Sequence, residues 1–205
     1  MKKTLVLFLA CVLSSIASAG IFDVVKDIAI DVAGDVAADY ISDLIINYDN
    51  DQTGDEKMVA EKYKQQHGAL PQSPLVSSYK TEVLPSSRVS RGSQVTFSST
   101  VELVPGQNKQ AVNVLETLTI WDNEDNSIEL KSTTKSLTGG TTTGGIFNGQ
   151  FTMTFPADLP KGTYPVTTAI TIDGQQVRSD KTYLDIAAVI NALGDEQIAL
   201  RSRSI

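Results

Sequence analysis

The chain has 205 residues, a formal net charge of −7 and a single cysteine, Cys11. This length suits one domain with an extension, and the acidic balance disfavours general binding to nucleic-acid phosphates or anionic lipid surfaces. One cysteine cannot close a disulfide within the chain, so stability must come from packing or from bound ions.

The opening MKKTLVLFLACVLSSIASAG has the form of a secretory signal. Lys2 and Lys3 precede an apolar run, and Ala17-Ser18-Ala19 supplies the small residues accepted by signal peptidase. Cleavage after Ala19 is expected, with the mature chain in the periplasm or outside the cell. The alternative, a lipid on Cys11, would place Phe8 where such signals usually carry leucine. Loss of Lys2 and Lys3 moves the mature charge from −7 to −9. No later stretch approaches the roughly 18 apolar residues needed to span a bilayer, so no integral membrane span is expected.

From residue 20 to 67 the spacing is helical, with apolar residues recurring at three and four. Aspartates stand at every fourth position from Asp23 to Asp43. Each step of four advances about 40° around a helix, so these acids wind across roughly 200° and the apolar seam winds with them. The like-charge pairs cost about 0.2–0.5 kcal/mol each. Burying one Val or Ile contributes about 1.5–3 kcal/mol, which outweighs a pair. Two readings follow: a solubility stripe on a helix packed against the rest of the protein, or an interaction face formed by Asp27, Asp31, Asp35 and Asp39. The expected partner of such a face is an envelope or extracellular protein, or a second copy engaging Arg201 and Arg203.

Within this region, Asp49, Asp51 and Thr53 occupy alternate positions, Gly54 follows, and Asp55 and Glu61 lie beyond. The run YDNDQTGDEKMVAE resembles the calcium loop of EF-hand proteins, which implies Asp49, Asp51, Thr53, Asp55 and Glu61 as candidate calcium ligands between two helices. It departs from that pattern at Glu56, Lys57 and Ala60, and the acid expected at the twelfth place comes one residue late. The resemblance therefore implies weak calcium binding; the other reading is an acidic turn between helices. No other cofactor is suggested.

Residues 68–74, with Pro71 and Pro74, have the composition of a linker. From 75 to 187 the pattern changes to period two. Val95, Phe97, Val101 and Leu103 share one parity before Pro105-Gly106; Phe151, Met153 and Phe155 share another before Pro156. VNVLETLTIW and TYPVTTAITI read as central strands, and Asp173-Gly174 as a tight hairpin turn. The Ser/Thr/Gly run from Ser132 to Gly145 reads as a mobile loop or a weak edge strand. About seven strands are expected, followed by a tail over 188–205 with room for a short helix. The run LPKGTYPVTTAITIDG resembles the penultimate strand of immunoglobulin-like and fibronectin type III-like modules of bacterial envelope proteins. That resemblance implies a mainly β fold, an immunoglobulin-like β-sandwich preceded by amphipathic helices, with Tyr164 as the corner tyrosine.

Catalytic signatures are lacking. His67 is the only histidine, at an expected helix end, and no nucleophile, phosphate-loop or zinc-protease motif appears. The cluster from Trp121 to Asn126 sets an aromatic beside several oxygen groups, as in a sugar-binding loop or an ordinary polar hairpin. The sequence leads to a non-enzymatic extracytoplasmic binding or assembly protein. Its alternative is a calcium-dependent surface or matrix module that recognises glycans; an unrecognised hydrolase stands third.

Overall fold

A computed structural model describes residues 38–85, 89–90, 92–156, 162–190 and 196–199. A helical turn at residues 38–42 leads into strand β1 (Ile46–Gly54) and helix α1 (Glu56–His67). Strands β2 (Leu75–Leu84), β3 (Val89–Ser90), β4 (Gln94–Val104), β5 (Val112–Trp121), β6 (Glu129–Thr142) and β7 (Gly145–Thr154) follow. The chain continues through β8 (Gly162–Ile172), β9 (Gln175–Ile190) and β10 (Glu196–Ala199). The protein is mainly β, in two antiparallel sheets ordered β1-β7-β4-β2 and β3-β10-β9-β8-β5-β6.

Alternation along the strands explains how the sheets pack. In β4, Val95, Phe97, Val101 and Leu103 point inward; in β5, Val112, Val114, Leu118 and Ile120 do; in β7, Phe147, Phe151 and Met153 do. These faces meet as a sandwich whose core has two apolar clusters. One contains Phe97, Leu118, Ile120, Phe151 and Tyr164; the other contains Val101, Leu103, Val114, Phe147 and Ile170. Side chains stitch the open edges: Asn50 on β1 donates to the carbonyls of Ser136 at 2.7 Å and Leu137 at 3.0 Å on β6. Across the other seam, Thr81 bonds Asp180 and Arg178 donates to the Val76 carbonyl at 3.3 Å. Asp173 and Gly174, with φ of 47° and 82°, make the two-residue turn between β8 and β9 that a right-twisted hairpin favours.

The helical expectation for residues 20–67 needs correction over Ile46–Gly54. That segment is an edge strand, paired with β7 from Ile46 opposite Met153 to Gly54 opposite Ile146. Polar residues are tolerated there because only one parity, led by Ile46 and Tyr48, meets the core. Glu56–His67 is helical as expected. Asp55 caps it by accepting from the Met58 N–H at 2.8 Å, and Gly68, at φ 83°, closes it through an N–H bond to the Lys64 carbonyl at 2.8 Å. The 68–74 stretch is tied to the β4–β5 loop, with the Gln107 N–H donating to Pro71 O at 2.8 Å and the Asn108 N–H to Gln72 O at 3.2 Å. The Ser/Thr/Gly run lies largely in β6, which is an edge strand. Within the tail, whose sequence left room for a short helix, the described residues Glu196–Ala199 form strand β10.

Candidate functional site

The five residues expected to ligate calcium do not form a loop between two helices. Asp49, Asp51 and Thr53 alternate along β1, where Asp49 stands opposite Gln150 and Asp51 opposite Asn148. Asp55 is occupied as the N-cap of α1, and Glu61 lies on the helix surface beside Lys57 at 4.0 Å. Extended backbone spreads alternate residues about 7 Å apart along a strand, so the EF-hand wrapping of one ion is replaced by a straight row. Among the described residues no group of three or more acidic, histidine or cysteine side chains converges as a metal site.

Of the four aspartates assigned to an interaction face, Asp27, Asp31 and Asp35 lie outside the described residues. Asp39 is described, in the helical turn that enters β1. There Ile41 is fully buried and Leu44 is 5% exposed, both in the cluster with Ile120 and Phe151. Asp39 and Asp43 are exposed. Ser42 Oγ donates to the Asp39 carbonyl at 2.8 Å, and Lys131 Nζ reaches the Ser42 carbonyl, placing a cation at the negative end of the turn. Asp39, Tyr40, Asp43, Leu44, Ile45 and Gln94 help line an open pocket of about 550 Å3, at whose rim Ile45 is 77% exposed.

The acidic cluster after Trp121 is a self-bonded hairpin. Asp122, 6% exposed, accepts from the N–H groups of Glu124 at 2.7 Å and Asp125 at 2.8 Å through one oxygen. Asp125 accepts from the Ser127 hydroxyl at 2.6 Å and its N–H at 2.9 Å, bonds that hold its carboxyl below the usual range. Tyr164, fully buried at the start of β8, is pushed up to about 12 by burial and by the nearby charges of Asp122 and Glu124. His67 stacks on Tyr63, with ring centroids 4.2 Å apart.

One ionisable group escaped the sequence reading. Glu116, 1% exposed, projects from β5 into the middle of the sandwich. Its carboxylate accepts from the Tyr48 hydroxyl at 3.3 Å and the Tyr79 hydroxyl at 3.4 Å. Gly149 on β7 makes room: a Cβ there would lie 2.3 Å from Glu116 Oε2 and 2.8 Å from the Tyr48 hydroxyl. Burial raises the Glu116 carboxyl above its ordinary value, while bonds from Ser99, Tyr48 and Tyr79 pull it back. Burial, followed by the Glu116 charge, likewise raises both tyrosines. The available signal was parity, since Glu116 shares the inward positions of Val114 and Leu118. Enclosed by strands of both sheets, this group braces the core and presents no reacting atom to solvent.

No known family model matches the chain, and no curated protein matches it. Among solved structures, it is similar to a family 2 glycosyl hydrolase member from Bacteroides cellulosilyticus at 15% identity and TM-score 0.35, covering 62% of this chain and 17% of that one. It is similar to the Pseudomonas fluorescens alkylpurine DNA glycosylase AlkC bound to DNA at 11% identity and TM-score 0.33, covering 62% and 34%. A putative beta-galactosidase from Bacteroides fragilis gives 14% identity and TM-score 0.30, covering 62% and 19%. The chain thus spans about a third or less of each of these proteins, and likenesses this slight carry no argument about what it does.

Proposed function

We propose that this is an extracytoplasmic, non-enzymatic binding or assembly protein. Its sandwich is of immunoglobulin-like type and serves as a scaffold; its acidic N-terminal segment makes the protein contacts. The observation that carries this reading is the division of labour at residues 39–45. Ile41 and Leu44 are sunk in the sandwich core, while Asp39 and Asp43 face solvent beside the exposed Ile45. The same four-residue spacing continues upstream through Asp35, Asp31 and Asp27. An anchored turn preceded in sequence by regularly spaced acids suits a partner with basic residues around an apolar contact, because charge sets approach and apolar burial supplies affinity. Tyr164, buried at the start of β8, supports the immunoglobulin-like type. The sequence signal supports export and cleavage after Ala19.

The test is capture from envelope extracts by the mature chain and by a variant carrying Asp27→Asn, Asp31→Asn, Asp35→Asn and Asp39→Asn. The wild type should retain a protein partner, or a second copy of itself, at low salt and release it at high salt. The variant should retain neither. Capture that is the same for both chains under both conditions overturns the proposal.

A further inference from the structure

The two ends of the sandwich carry free charge of opposite sign. At one end stand the exposed carboxylates of Asp39 and Asp43; at the other, three lysines open onto one cleft of about 920 Å3 between α1 and the β4–β5 loop. Lys57, Ala60 and Lys64 follow one another at spacings of three and four, which puts them on one face of the helix, and Lys109 stands on the facing loop. All three lysines are exposed.

Asp55 and Glu56 also line the cleft, but both lie at the start of the helix and both are engaged. Asp55 accepts from the Met58 N–H at 2.8 Å, and Glu56 accepts from the Thr143 hydroxyl. The ammonium groups are less committed. Lys57 lies 4.0 Å from Glu61, and neither Lys64 nor Lys109 has a side-chain hydrogen bond or ion pair among the described residues. Between the lysines the surface is apolar: Ala60 and Leu70 are half-buried and Pro105 is buried. Gln107 Nε2 donates to the Leu70 carbonyl at 2.6 Å and ties the two walls together, so an occupant meets a formed cleft.

We propose that this cleft receives the acidic segment of a second copy, residues 23–39, so that copies join head to tail. The proposal rests on the reading that this segment makes protein contacts, and it names the chain itself as the partner. Segment and cleft match in kind. DVVKDIAIDVAGDVAAD sets an aspartate at every fourth place with chiefly Val, Ile, Ala and Gly between, and Lys26 is its one cation. The cleft sets ammonium groups around Ala, Leu and Pro. They also match in spacing. Lys57 and Lys64 stand about 10 Å apart along α1; at the helical spacing that the sequence predicts for the segment, aspartates eight residues apart stand about 12 Å apart. The cleft and the point where the segment enters the fold lie at opposite ends of β1, whose 9 residues span about 30 Å. One contact therefore leaves a free cleft on one copy and a free acidic segment on the other, and the association is open-ended.

Sedimentation velocity of the full chain without its signal, at low and high salt, tests this with two variants. One carries Asp27→Asn, Asp31→Asn and Asp35→Asn and keeps its lysines. The other carries Lys57→Gln, Lys64→Gln and Lys109→Gln and keeps its acids; thermal melts of both should match wild type. Wild type should form complexes that grow beyond dimers with concentration and disperse at high salt. Each variant alone should sediment as a single copy. An equal mixture of the two should form a dimer and nothing larger, because only one pairing of segment and cleft remains. Four results overturn the inference: wild type stays a single copy, either variant alone associates like wild type, the mixture does not pair, or assembly survives in the lysine variant and is lost in an Arg201→Gln, Arg203→Gln variant. A wild type that stays single yet captures another envelope protein through its aspartates would overturn this inference and leave the acidic-segment reading intact, so the two failures are distinguishable.

Discussion

At the end of the sandwich that carries α1, three charged side chains of the helix and its cap are tied into the protein's own structure. Asp55 caps the helix, Lys62 pairs with Glu102 at 2.6 Å, and Thr143 bonds Glu56. At the end where the chain enters β1, Asp122 and Asp125 brace their hairpin, but the carboxylates of Asp39 and Asp43 make no hydrogen bond or ion pair among the described residues. The apolar contributions differ in the opposite sense. Helix α1 buries Val59 alone, whereas the short turn at 38–42 and the residues just after it sink Ile41 and Leu44 into the main cluster. The turn is anchored by its apolar side chains while its two carboxylates stay exposed; α1 is tied down through its cap, Lys62 and Glu56, with Lys57, Glu61 and Lys64 left on its outer surface.

The comparison can be broken most severely at the anchor. Ile41→Ala should cost about 2–5 kcal/mol, because the removed side chain is fully buried and leaves a cavity in the larger apolar cluster. Chemical denaturation measures it, and a loss below about 0.5 kcal/mol would mean that the turn is not anchored.

A second effect is a change in pH profile. The Glu116 carboxyl is raised by burial, so the native state holds its proton more tightly than the unfolded chain does. Its contribution to stability is therefore full below the ordinary glutamate range and falls as pH rises through that range towards the native value. Tyr48 and Tyr79 are the titratable groups bonded to it; Asp180 acts on Tyr79, and Lys135 stands opposite Glu116 on β6 with its side chain exposed. Glu116→Gln keeps the shape without the titration. Its melting temperature should approach or fall below wild type near pH 4 and exceed it near pH 8. A difference independent of pH would show that the Glu116 carboxyl titrates alike in the native and unfolded chain and is not raised by burial.

Smaller again, Asp55→Ala should lower stability by about 1 kcal/mol through loss of the helix cap. The double variant Asp39→Asn, Asp43→Asn should stay within about 0.5 kcal/mol of wild type. Thermal melts of the pair sharpen the contrast between an acid used by the fold and acids that are not; equal losses would erase it.

The sequence made the central strands visible because β4, β5, β7 and β8 alternate cleanly, and β4, β7 and β8 run into Pro or Gly turns. It hid β1, since INYDNDQTG is rich in residues depleted from strands, and its pairing with β7 is a long-range contact that local pattern cannot show. For the same reason the loop between two helices that the EF-hand resemblance implies is a strand instead: the spacing of Asp49, Asp51 and Thr53 matches a calcium loop and an exposed strand face equally well. Glu116 was readable as an acid at an inward position, but not its tyrosine partners, which come from β1 and β2, nor the space left by Gly149.

The most direct measurement places a photoreactive side chain at position 39 or 43, and in separate chains at position 61 or 65 of α1, outside the lysine-lined cleft, and maps crosslinks after incubation with envelope extract. The account predicts protein adducts, sensitive to salt, from positions 39 and 43 and none from α1. Adducts from α1 alone, or equally from both ends, would contradict it.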